Sequence, residues 1–283
     1  MRKKIAVLLL AGLLFAVGCG GDEFNSEGAI NVVSREEGSG TRGAFIEITG
    51  VQVSTGGTVT DMTDPEAIIA NSTSIVMTTV AENPQAIGYI TTGSINDTIR
   101  PLSVDGVAPT VANIQSGAYT IARPFFVVTT DDIDEATADF YSFIMSYEGQ
   151  AVVSRRYVPS VTGAPPFAGG NVSGRVVVSG STSVAPVMES LREAYHDINP
   201  DVEVEIHITG STAGVTNTVD GVSTMGMVSR HLREAEAEVL NYTAIAIDGI
   251  AIIVNNLNPI SNLTADQVLQ IFTGELTSWD EVR

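Results

Sequence analysis

Short apolar runs alternate along this chain with segments in which apolar residues recur every three or four positions. Apolar or strictly alternating runs, which are typical of strands, lie at 29–33, 86–90, 121–128, 175–178, 202–208 and 245–254. Helix-like spacing, or a proline near a helix start, is found at 44–48, 65–71, 132–153, 187–198 and 264–272. The stretch 50–60 is rich in glycine and β-branched residues and predicts extended chain. Alternating strands and helices predict an α/β protein with largely parallel sheets.

The first residues differ from the rest of the chain. Three basic residues precede a run of 13 apolar or small residues at 5–17, which is shorter than the ~20 that a membrane-spanning helix needs. We therefore predict a signal peptide at 1–18. The run leads to the chain's one cysteine, and the small residues before it resemble the lipobox of bacterial lipoproteins, which implies lipidation of Cys19. An ordinary signal peptide beside a buried cysteine is the less favoured alternative, and 19–28 predicts a short tether.

Acidic residues outnumber basic residues, 33 to 14, and the formal net charge is -19. Loss of 1–18 removes three cations and no acids, so the charge of the remaining chain moves to -22. This excess of negative charge argues against nucleic acid and against an anionic membrane surface as binding partners. It does not argue against a small anionic ligand. Distant charges are screened over about 8 Å, so local donors decide binding in a closed cleft.

Three turns between a strand and a helix are rich in Gly, Ser and Thr, and we call them the donor turns. They lie at 34–45, 179–186 and 209–214. Their glycines let a ligand approach the backbone, and the first N–H groups of each following helix have no partner within the helix. Arg35 adds a cation to the first turn. Because ligands of open α/β sheets bind beyond the carboxyl ends of the strands, three such turns favour a shared oxyanion site over plain connections.

Signals for catalysis are weaker. His196, His207 and His231 lack the spacing of metal ligands, so we predict neither a metal nor a cofactor. The sequence also contains no Gly-x-Ser-x-Gly elbow, no Walker loop and no paired cysteines. A serine hydrolase assembled from distant residues stays an alternative of lower rank, since triads form across a fold. Binding without covalent chemistry is the favoured prediction.

Four dispersed motifs, at 34–42, 180–186, 210–214 and 271–279, together resemble the PstS-type phosphate-binding proteins of ABC phosphate importers. The resemblance extends to 83–89, 116–124 and 148–150 and covers nearly all of the chain after the signal peptide. It implies a two-lobed, periplasmic-binding-protein-like fold of type II, with the ligand cleft between the lobes. It also implies inorganic phosphate as the ligand and an ABC permease as the partner.

The order of the motifs differs from that of the family, so the chain resembles a circular permutant. The family's usual end, near Tyr157, runs through a Pro/Gly-rich linker at 158–174 into its usual start near Arg175. The new break falls between Val282 and Asn31. The implied lobes and hinge strands are as follows: lobe one is 29–118 plus 250–283, lobe two is 119–249 with the linker inside it, and the hinge strands lie near 119–124 and 244–250.

The resemblance also assigns roles to single residues. The implied phosphate contacts are Arg35, Ser39, Gly40, Thr41, Thr182, Ser183 and Ser211, with Glu37 orienting Arg35. Ser229 stands where the best-known members carry an Asp that accepts the proton of the bound phosphate. A hydroxyl also accepts a hydrogen bond, but it repels deprotonated anions less than a carboxylate does. Arsenate or another tetrahedral oxyanion is therefore an alternative ligand. Arg230 is either a second cation of the site or one half of a surface ion pair with Glu234 or Glu236.

The residues and the resemblance together predict a lipid-anchored monomer of the cell envelope. It lies outside the cytoplasm, in the periplasm or on the outer face of the plasma membrane, and it is attached to the membrane only through Cys19. It captures phosphate by hydrogen bonds and delivers it to an ABC importer. The alternatives are a secreted phosphatase-like hydrolase and a sensor or adhesin that keeps the binding fold.

Overall fold

The computed structural model describes residues 23–56 and 58–282. Its strands are β1 (Asn31–Arg35), β2 (Gln52–Thr55), β3 (Thr58–Asp61), β4 (Ile68–Ala70), β5 (Ala86–Thr91), β6 (Ile99–Pro101), β7 (Ser103–Val104), β8 (Ala122–Thr129), β9 (Val158–Pro159), β10 (Gly174–Gly180), β11 (Val202–Ile208), β12 (Met225–Val228), β13 (Asn241–Asn255) and β14 (Asn262–Leu263). Its helices are α1 (Gly40–Thr49), α2 (Thr73–Glu82), α3 (Val111–Gln115), α4 (Glu135–Met145), α5 (Tyr147–Val153), α6 (Ala185–His196), α7 (Ser211–Val219), α8 (Glu234–Ala237) and α9 (Ala265–Phe272), with 3-10 turns at Thr92–Ser94 and Trp279–Glu281.

The predicted signal peptide at 1–18 and the lipidation site Cys19 lie outside the described residues, as does the start of the predicted tether. Within 23–56 and 58–282, no helix is long and apolar enough to cross a membrane.

A ten-stranded sheet runs through the molecule in the order β11-β10-β12-β8-β13-β5-β1-β4, with β6 and β9 also paired to β13. Its two ends repeat one arrangement. At one end β4, β1 and β5 are parallel and β13 joins them antiparallel. At the other end β11, β10 and β12 are parallel and β8 joins them antiparallel. We keep the name lobe one for the end that holds β1, β4 and β5, and lobe two for the end that holds β10, β11 and β12.

The strand β13 connects the two lobes. It is 15 residues long. Residues 241–249 pair with β8, and residues 250–254 pair with β5. The sheet is irregular where the register shifts between Ala244 and Ala246. The hinge strands predicted near 119–124 and 244–250 fall at this junction, whereas the exact lobe boundaries stay a prediction.

Each lobe has a hydrophobic core of its own. In lobe one the ring of Phe45 stacks on Tyr89 with centroids 4.0 Å apart and meets Phe272 edge-on at 4.7 Å. In lobe two the ring of Tyr195 lies 5.1 Å from Phe140 and 5.3 Å from Phe143. These aromatic clusters belong to separate sets of buried residues, so the α/β layers of each lobe pack around a separate centre.

Two predicted helices differ from the structure. The segment 132–153 is not one helix but α4 and α5, because the backbone of Ser146 is extended and its hydroxyl accepts a hydrogen bond from the N–H of Gly149, capping α5. The segment 65–71 does not enter a helix. Ile68 to Ala70 form the edge strand β4 instead, since they pair in parallel with β1, and the helix α2 begins only after the N-cap Ser72.

The Pro/Gly-rich stretch 158–174 contains little regular structure, but it is attached to lobe two by hydrogen bonds. The N–H of Phe167 donates to the carboxylate of Glu148 at 2.7 Å, and the N–H of Gly170 donates to Asp139 at 3.2 Å. The side-chain amide of Asn199 donates to the carbonyl of Val172 at 3.0 Å. The stretch therefore follows the surface of lobe two as a fixed connection.

The first and last described segments lie side by side in lobe one. The N–H of Ile30 donates to the carbonyl of Thr277 at 2.8 Å, and Ala29 forms an isolated antiparallel bridge with Ser278. The ring of Phe24 lies 5.9 Å from that of Trp279. The two segments thus close one edge of the lobe together.

Candidate functional site

Four helix N-termini meet between the lobes. In lobe one α1 follows β1 and α2 follows β4, and in lobe two α6 follows β10 and α7 follows β11. Because the strands within each lobe are parallel, these turns lie at the carboxyl ends of the strands. Side chains from opposite lobes touch there: the hydroxyl of Thr41 lies 2.7 Å from that of Ser183. The three donor turns predicted from the sequence are among these four turns.

The first donor turn places Ser39 and Thr41 at the start of α1. Ser39 is the N-cap, and its hydroxyl accepts a hydrogen bond from the N–H of Arg42 at 3.3 Å. Both hydroxyl residues are buried. The turn also meets lobe two through its backbone, because the N–H of Thr212 donates to the carbonyl of Gly38 at 3.2 Å.

Arg35 ends β1 and brings a buried guanidinium to this turn, with 2% of the residue exposed. Its Nε donates to Glu36 Oε2 at 2.8 Å and to the carbonyl of Ala70 at 3.2 Å. Its Nη2 donates to Glu36 Oε1 at 2.8 Å. Within the described part of the chain, Nη1 has no hydrogen-bond partner. The ion pair therefore fixes the guanidinium and leaves one of its nitrogens available to an anion.

The prediction that Glu37 orients Arg35 is wrong, since the carboxylate paired with Arg35 belongs to Glu36. Side chains of neighbouring residues point to opposite faces only while the strand lasts. The strand β1 ends at Arg35 and a turn begins at Glu37. The side chain of Glu36 therefore reaches back to the guanidinium, and Glu37 is exposed to solvent.

The second donor turn follows β10 in lobe two. It needs Gly180, whose φ is 138° and whose added Cβ would lie 2.3 Å from the carbonyl oxygen of Met227. After it, the hydroxyl of Ser181 donates to that of Ser229 at 2.8 Å and accepts from the N–H of Ser183 at 3.2 Å. The hydrogen bonds of Ser181 thus fix this turn against the end of β12, and Ser183 is left facing Thr41.

The third donor turn places Ser211 at the first position of α7, fully buried. The hydroxyl of Ser211 accepts a hydrogen bond from the N–H of Ser229 at 3.1 Å, and the two hydroxyls lie 3.3 Å apart. The residue before it, Gly210, has a φ of 90°, which favours glycine. Ser229 follows β12 and is also fully buried, so the structure brings it together with Ser211, as the resemblance implied.

The lobes come closest at Gly40. A Cβ added to this glycine would lie 2.3 Å from Ser211 Oγ and 2.6 Å from Ser229 Oγ, both in the other lobe. Real Cβ contacts of this length do not occur, so any side chain at position 40 would push the lobes apart. The close approach of the lobes therefore depends on the absence of a side chain at Gly40.

Sequence reasoning missed Thr73, the first residue of α2. Its hydroxyl lies 3.1 Å from that of Thr182 and 3.5 Å from that of Ser183, and 6% of the residue is exposed. The signal was present in the sequence Ser72-Thr73-Ser74, which follows the apolar run 67–70 after one residue. Assigning 65–71 to a helix concealed it, because residues 72–74 then followed a helix instead of lying between a strand and a helix.

Arg230 forms a buried ion pair. Its Nη1 donates to Glu236 Oε2 at 2.7 Å and its Nη2 donates to Glu236 Oε1 at 2.8 Å. Burial alone would raise the pKa of Glu236, but the hydrogen bond and charge of Arg230 hold that pKa below its usual value. Of the two predicted acids Glu236 is thus the partner. The pair is mostly shielded from solvent, with the side chains 8% and 12% exposed, and its charges compensate each other.

A third buried arginine lies where β8 pairs with β13. Arg123 Nη2 donates to Asp248 Oδ2 at 3.2 Å, and Asp248 Oδ1 accepts hydrogen bonds from the hydroxyls of Thr91 and Thr92 at 2.8 and 2.9 Å. Burial raises the pKa of Asp248 to about 6 although Arg123 acts in the opposite direction. Burial lowers the pKa of Arg123 to about 10, Asp248 opposes that shift, and the positive charge of Arg35 adds to it. The ion pair and Thr91 therefore join β8, β13 and the end of β5 at one buried point.

The described residues contain no group of three or more His, Cys, Asp or Glu side chains that could hold a metal ion. The donors that meet between the lobes are instead hydroxyls, backbone N–H groups and one guanidinium. Such a set suits an oxyanion, whose oxygens accept hydrogen bonds.

The fold and the cleft define a two-lobed binding protein. A sequence profile described as a PBP superfamily domain matches residues 22–148 and 165–282. Phosphate-binding protein PstS 2 of Streptococcus agalactiae serotype V is 45% identical over 287 residues, which cover 100% of this chain and 98% of the relative. PstS 2 of Streptococcus pneumoniae serotype 4 is 40% identical over 288 residues, which cover 99% of both chains.

A solved structure is also similar. The crystal structure of a phosphate ABC transporter, phosphate-binding protein from Streptococcus pneumoniae TIGR4 has a TM-score of 0.72 and 41% sequence identity, and the match covers 90% of this chain and 100% of that one. The chain therefore belongs to the PBP superfamily and, within it, to the family of the PstS phosphate-binding proteins.

Proposed function

We propose that this protein captures inorganic phosphate between its two lobes and delivers it to an ABC importer. The observation that carries the proposal is the meeting of hydroxyl-bearing helix N-termini from both lobes beside the buried Arg35. The contact of Thr41 with Ser183 at 2.7 Å joins the lobes at this place. Members of the same family, at 40 and 45% identity over the whole chain, are phosphate-binding proteins, which supports phosphate as the ligand.

The proposed ligand-binding residues share donor groups and a position at the cleft. They are Arg35, Ser39, Gly40, Thr41, Thr182, Ser183, Ser211 and Ser229. Glu36 holds Arg35 in place, and this carboxylate is occupied by the ion pair, so it does not repel the ligand as a free charge would. No serine hydroxyl of the site donates a hydrogen bond to a histidine within the described residues, and His207 lies on an exposed strand surface near Glu205. We therefore infer binding without covalent chemistry.

The ligand's selectivity depends on Ser229. Its hydroxyl accepts a hydrogen bond from Ser181 and lies 3.3 Å from that of Ser211, so it can donate its own proton either to Ser211 or to a ligand oxygen. A neutral hydroxyl at this position accommodates an anion with or without a proton. We therefore include arsenate and other tetrahedral oxyanions among the proposed ligands.

The test is isothermal titration of the chain without its leader, since residues 23–282 contain both cores. We expect saturable heat when phosphate is added to dialysed protein. Arsenate and sulfate, titrated in the same way and in competition with phosphate, measure the selectivity of the Ser229 site. Absence of heat from micromolar to millimolar phosphate would overturn the proposed function.

We also propose that the protein is a lipoprotein of the cell envelope, held outside the cytoplasm through Cys19 and acting as a monomer. The leader at 1–18 and the lipobox-like residues before Cys19 support this. Metabolic labelling with a radioactive fatty acid should mark the wild type and not the Cys19→Ala variant. Equal labelling of both would contradict the anchor, and light scattering of the soluble form tests the oligomeric state.

A circular permutation is proposed as the origin of the chain order. The first and last described segments lie side by side, as permutation requires, and 158–174 is a surface connection along lobe two. The lobes would then be 29–118 plus 250–283, and 119–249. A chain whose segments are reordered to begin near Arg175, with a short peptide joining the present ends, should still fold and bind phosphate.

A further inference from the structure

The two lobes place equivalent helices around the cleft. In each lobe the strand order is the same, with β4 as the edge strand of lobe one and β11 as the edge strand of lobe two. Each edge strand is followed by a helix whose first residue carries a hydroxyl, Thr73 in α2 and Ser211 in α7. Thr73 therefore occupies in lobe one the position that Ser211 occupies in lobe two.

The hydroxyl of Thr73 lies within hydrogen-bond distance of hydroxyls of lobe two, whereas those of Ser72 and Ser74 contact lobe one. Ser72 caps the helix by accepting a hydrogen bond from the N–H of Ile75 at 3.2 Å, and its hydroxyl lies 3.0 Å from that of the exposed Ser74. Thr73 is buried and takes no part in capping the helix. Helix formation thus needs Ser72 and leaves the hydroxyl of Thr73 for another role.

Thr73 contacts two proposed ligand residues of lobe two directly, and through one of them it is linked to Thr41 of its own lobe. Its hydroxyl lies 3.1 Å from Thr182 Oγ1 and 3.5 Å from Ser183 Oγ, and the latter lies 2.7 Å from Thr41 Oγ1. A cavity of about 170 Å³ opens beside this cluster and is lined from both lobes by residues that include Thr73, Met77, Thr182 and Pro186. Hydroxyls this close to one another can turn their protons towards a common anion.

We propose that Thr73 is a further ligand-binding residue, whose hydroxyl donates a hydrogen bond to an oxygen of the bound tetrahedral oxyanion. The inference rests on the proposed function, because it adds a fourth helix N-terminus to the same site. It also makes the site nearly symmetric. Lobe one supplies donors from the turns after β1 and β4, and lobe two supplies donors from the turns after β10 and β11. Arg35 in lobe one is the charged exception.

The substitution Thr73→Val tests this, because valine keeps the shape of threonine and lacks the hydroxyl. We expect the Kd for phosphate, measured by isothermal titration, to rise about tenfold to a hundredfold, as for loss of a hydrogen bond to a charged group. Thr73→Ser keeps the hydroxyl and should bind within about threefold of the wild type. Thr78→Val, the same change on the exposed side of α2, is the matched control and should leave the Kd unchanged. Thermal unfolding confirms that each variant is folded.

A second measurement separates direct contact from an effect through Thr182. Thr73→Val is introduced into a Thr182→Val background. If Thr73 acts only by holding Thr182, its substitution has no further effect there, and the proposal is overturned. If Thr73 contacts the ligand, the Kd rises again by a similar factor. Unchanged binding by Thr73→Val in the wild-type background would also overturn it, whereas failure of the wild type to bind phosphate would instead overturn the proposed function.

Discussion

The two lobes share one backbone arrangement but differ in charge. Both consist of three parallel strands and one antiparallel strand, and in both a hydroxyl-bearing turn leads from the first and from the second of the parallel strands into a helix. Lobe one adds Arg35, whose Nη1 has no partner within the described residues. Arg230 of lobe two is also paired with a carboxylate, but both of its Nη nitrogens are taken up, Nη1 by Glu236 and the carbonyl of His231 and Nη2 by Glu236. The shared fold therefore places neutral hydroxyl and N–H donors at the cleft in both lobes. The cation of the site depends on a single residue of lobe one, Arg35.

The largest effect should come from removing the guanidinium of Arg35, which distinguishes lobe one from lobe two. Arg35→Ala removes a buried guanidinium and leaves the carboxylate of Glu36 unpaired beside the anion site. We expect the Kd for phosphate to rise about a thousandfold. Titration of His207→Ala, an exposed residue of lobe two, serves as the control and should match the wild type. Similar losses in both variants would mean that the site has been assigned to the wrong part of the molecule.

The buried ion pair of Arg123 and Asp248 provides the second prediction, which concerns stability. Arg123→Met leaves Asp248 buried without its cation and should lower the free energy of unfolding by about 3 kcal/mol at pH 8. An acid whose pKa is raised by folding contributes stability that is complete below its unfolded pKa and is lost as pH rises through its folded pKa. For the wild type that window lies between the ordinary pKa of 3.8 and about 6.

Loss of Arg123 raises the pKa of Asp248 further, so the window of the variant extends above pH 6. The difference in stability between wild type and Arg123→Met should therefore be small at pH 5 and grow towards pH 8. Urea unfolding across this range measures it. Arg175→Met, which breaks an exposed ion pair with Glu205, is the matched control and should show no such pH dependence. A difference that is constant with pH would contradict the assigned role of Asp248.

The third prediction tests the contact between the lobes. Gly40→Ala adds a Cβ that would lie 2.3 Å from Ser211 Oγ, so the lobes cannot close to the same distance. We expect phosphate affinity to fall about tenfold to a hundredfold, as for an overpacked interior. In Gly38→Ala the nearest atom to the new Cβ is Thr212 Cβ at 4.0 Å, so the effect should be much smaller. Equal losses would show that backbone flexibility, and not closure, explains both results.

The smallest effect should come from placing a carboxylate on the lobe-two side of the cleft. Ser229→Asp would place a carboxylate that can accept a proton from phosphate and repels an anion that has none. We expect the ratio of phosphate to sulfate affinity to rise about tenfold. Ser229→Ala removes the hydroxyl without adding charge, and competition titrations should show this ratio nearly unchanged. A higher ratio in both variants would show that the hydroxyl itself had favoured sulfate.

Much of the scaffold could be predicted from the sequence because it depends on local patterns. The strands at Ala86–Thr91 and Val202–Ile208 and the helix at Ala265–Phe272 have the periodicity of their structure. Two of the proposed lobe-two residues, Ser183 and Ser211, follow strands in recognisable turns. Here local chemistry and the final fold agree.

The remaining features depend on contacts that sequence spacing does not reveal. Whether Glu36 or Glu37 reaches Arg35 is decided by the angle of one turn. The break at Ser146 depends on a hydroxyl that caps a helix where apolar spacing continues unbroken. Arg123 and Asp248 are 125 residues apart and become neighbours only when β8 and β13 pair. Thr73 was concealed because a short edge strand has too few residues to show alternation.

The long strand β13 has a consequence for folding kinetics. Asn241–Asn255 completes lobe two by pairing with β8 and completes lobe one by pairing with β5, more than a hundred residues earlier in the chain. Neither lobe can therefore complete its part of the sheet before this late segment has been synthesised and has paired with β8 and β5. Contacts of such high sequence separation form slowly. We infer that the two lobes acquire their final structure in one late, shared step and not one after the other along the chain.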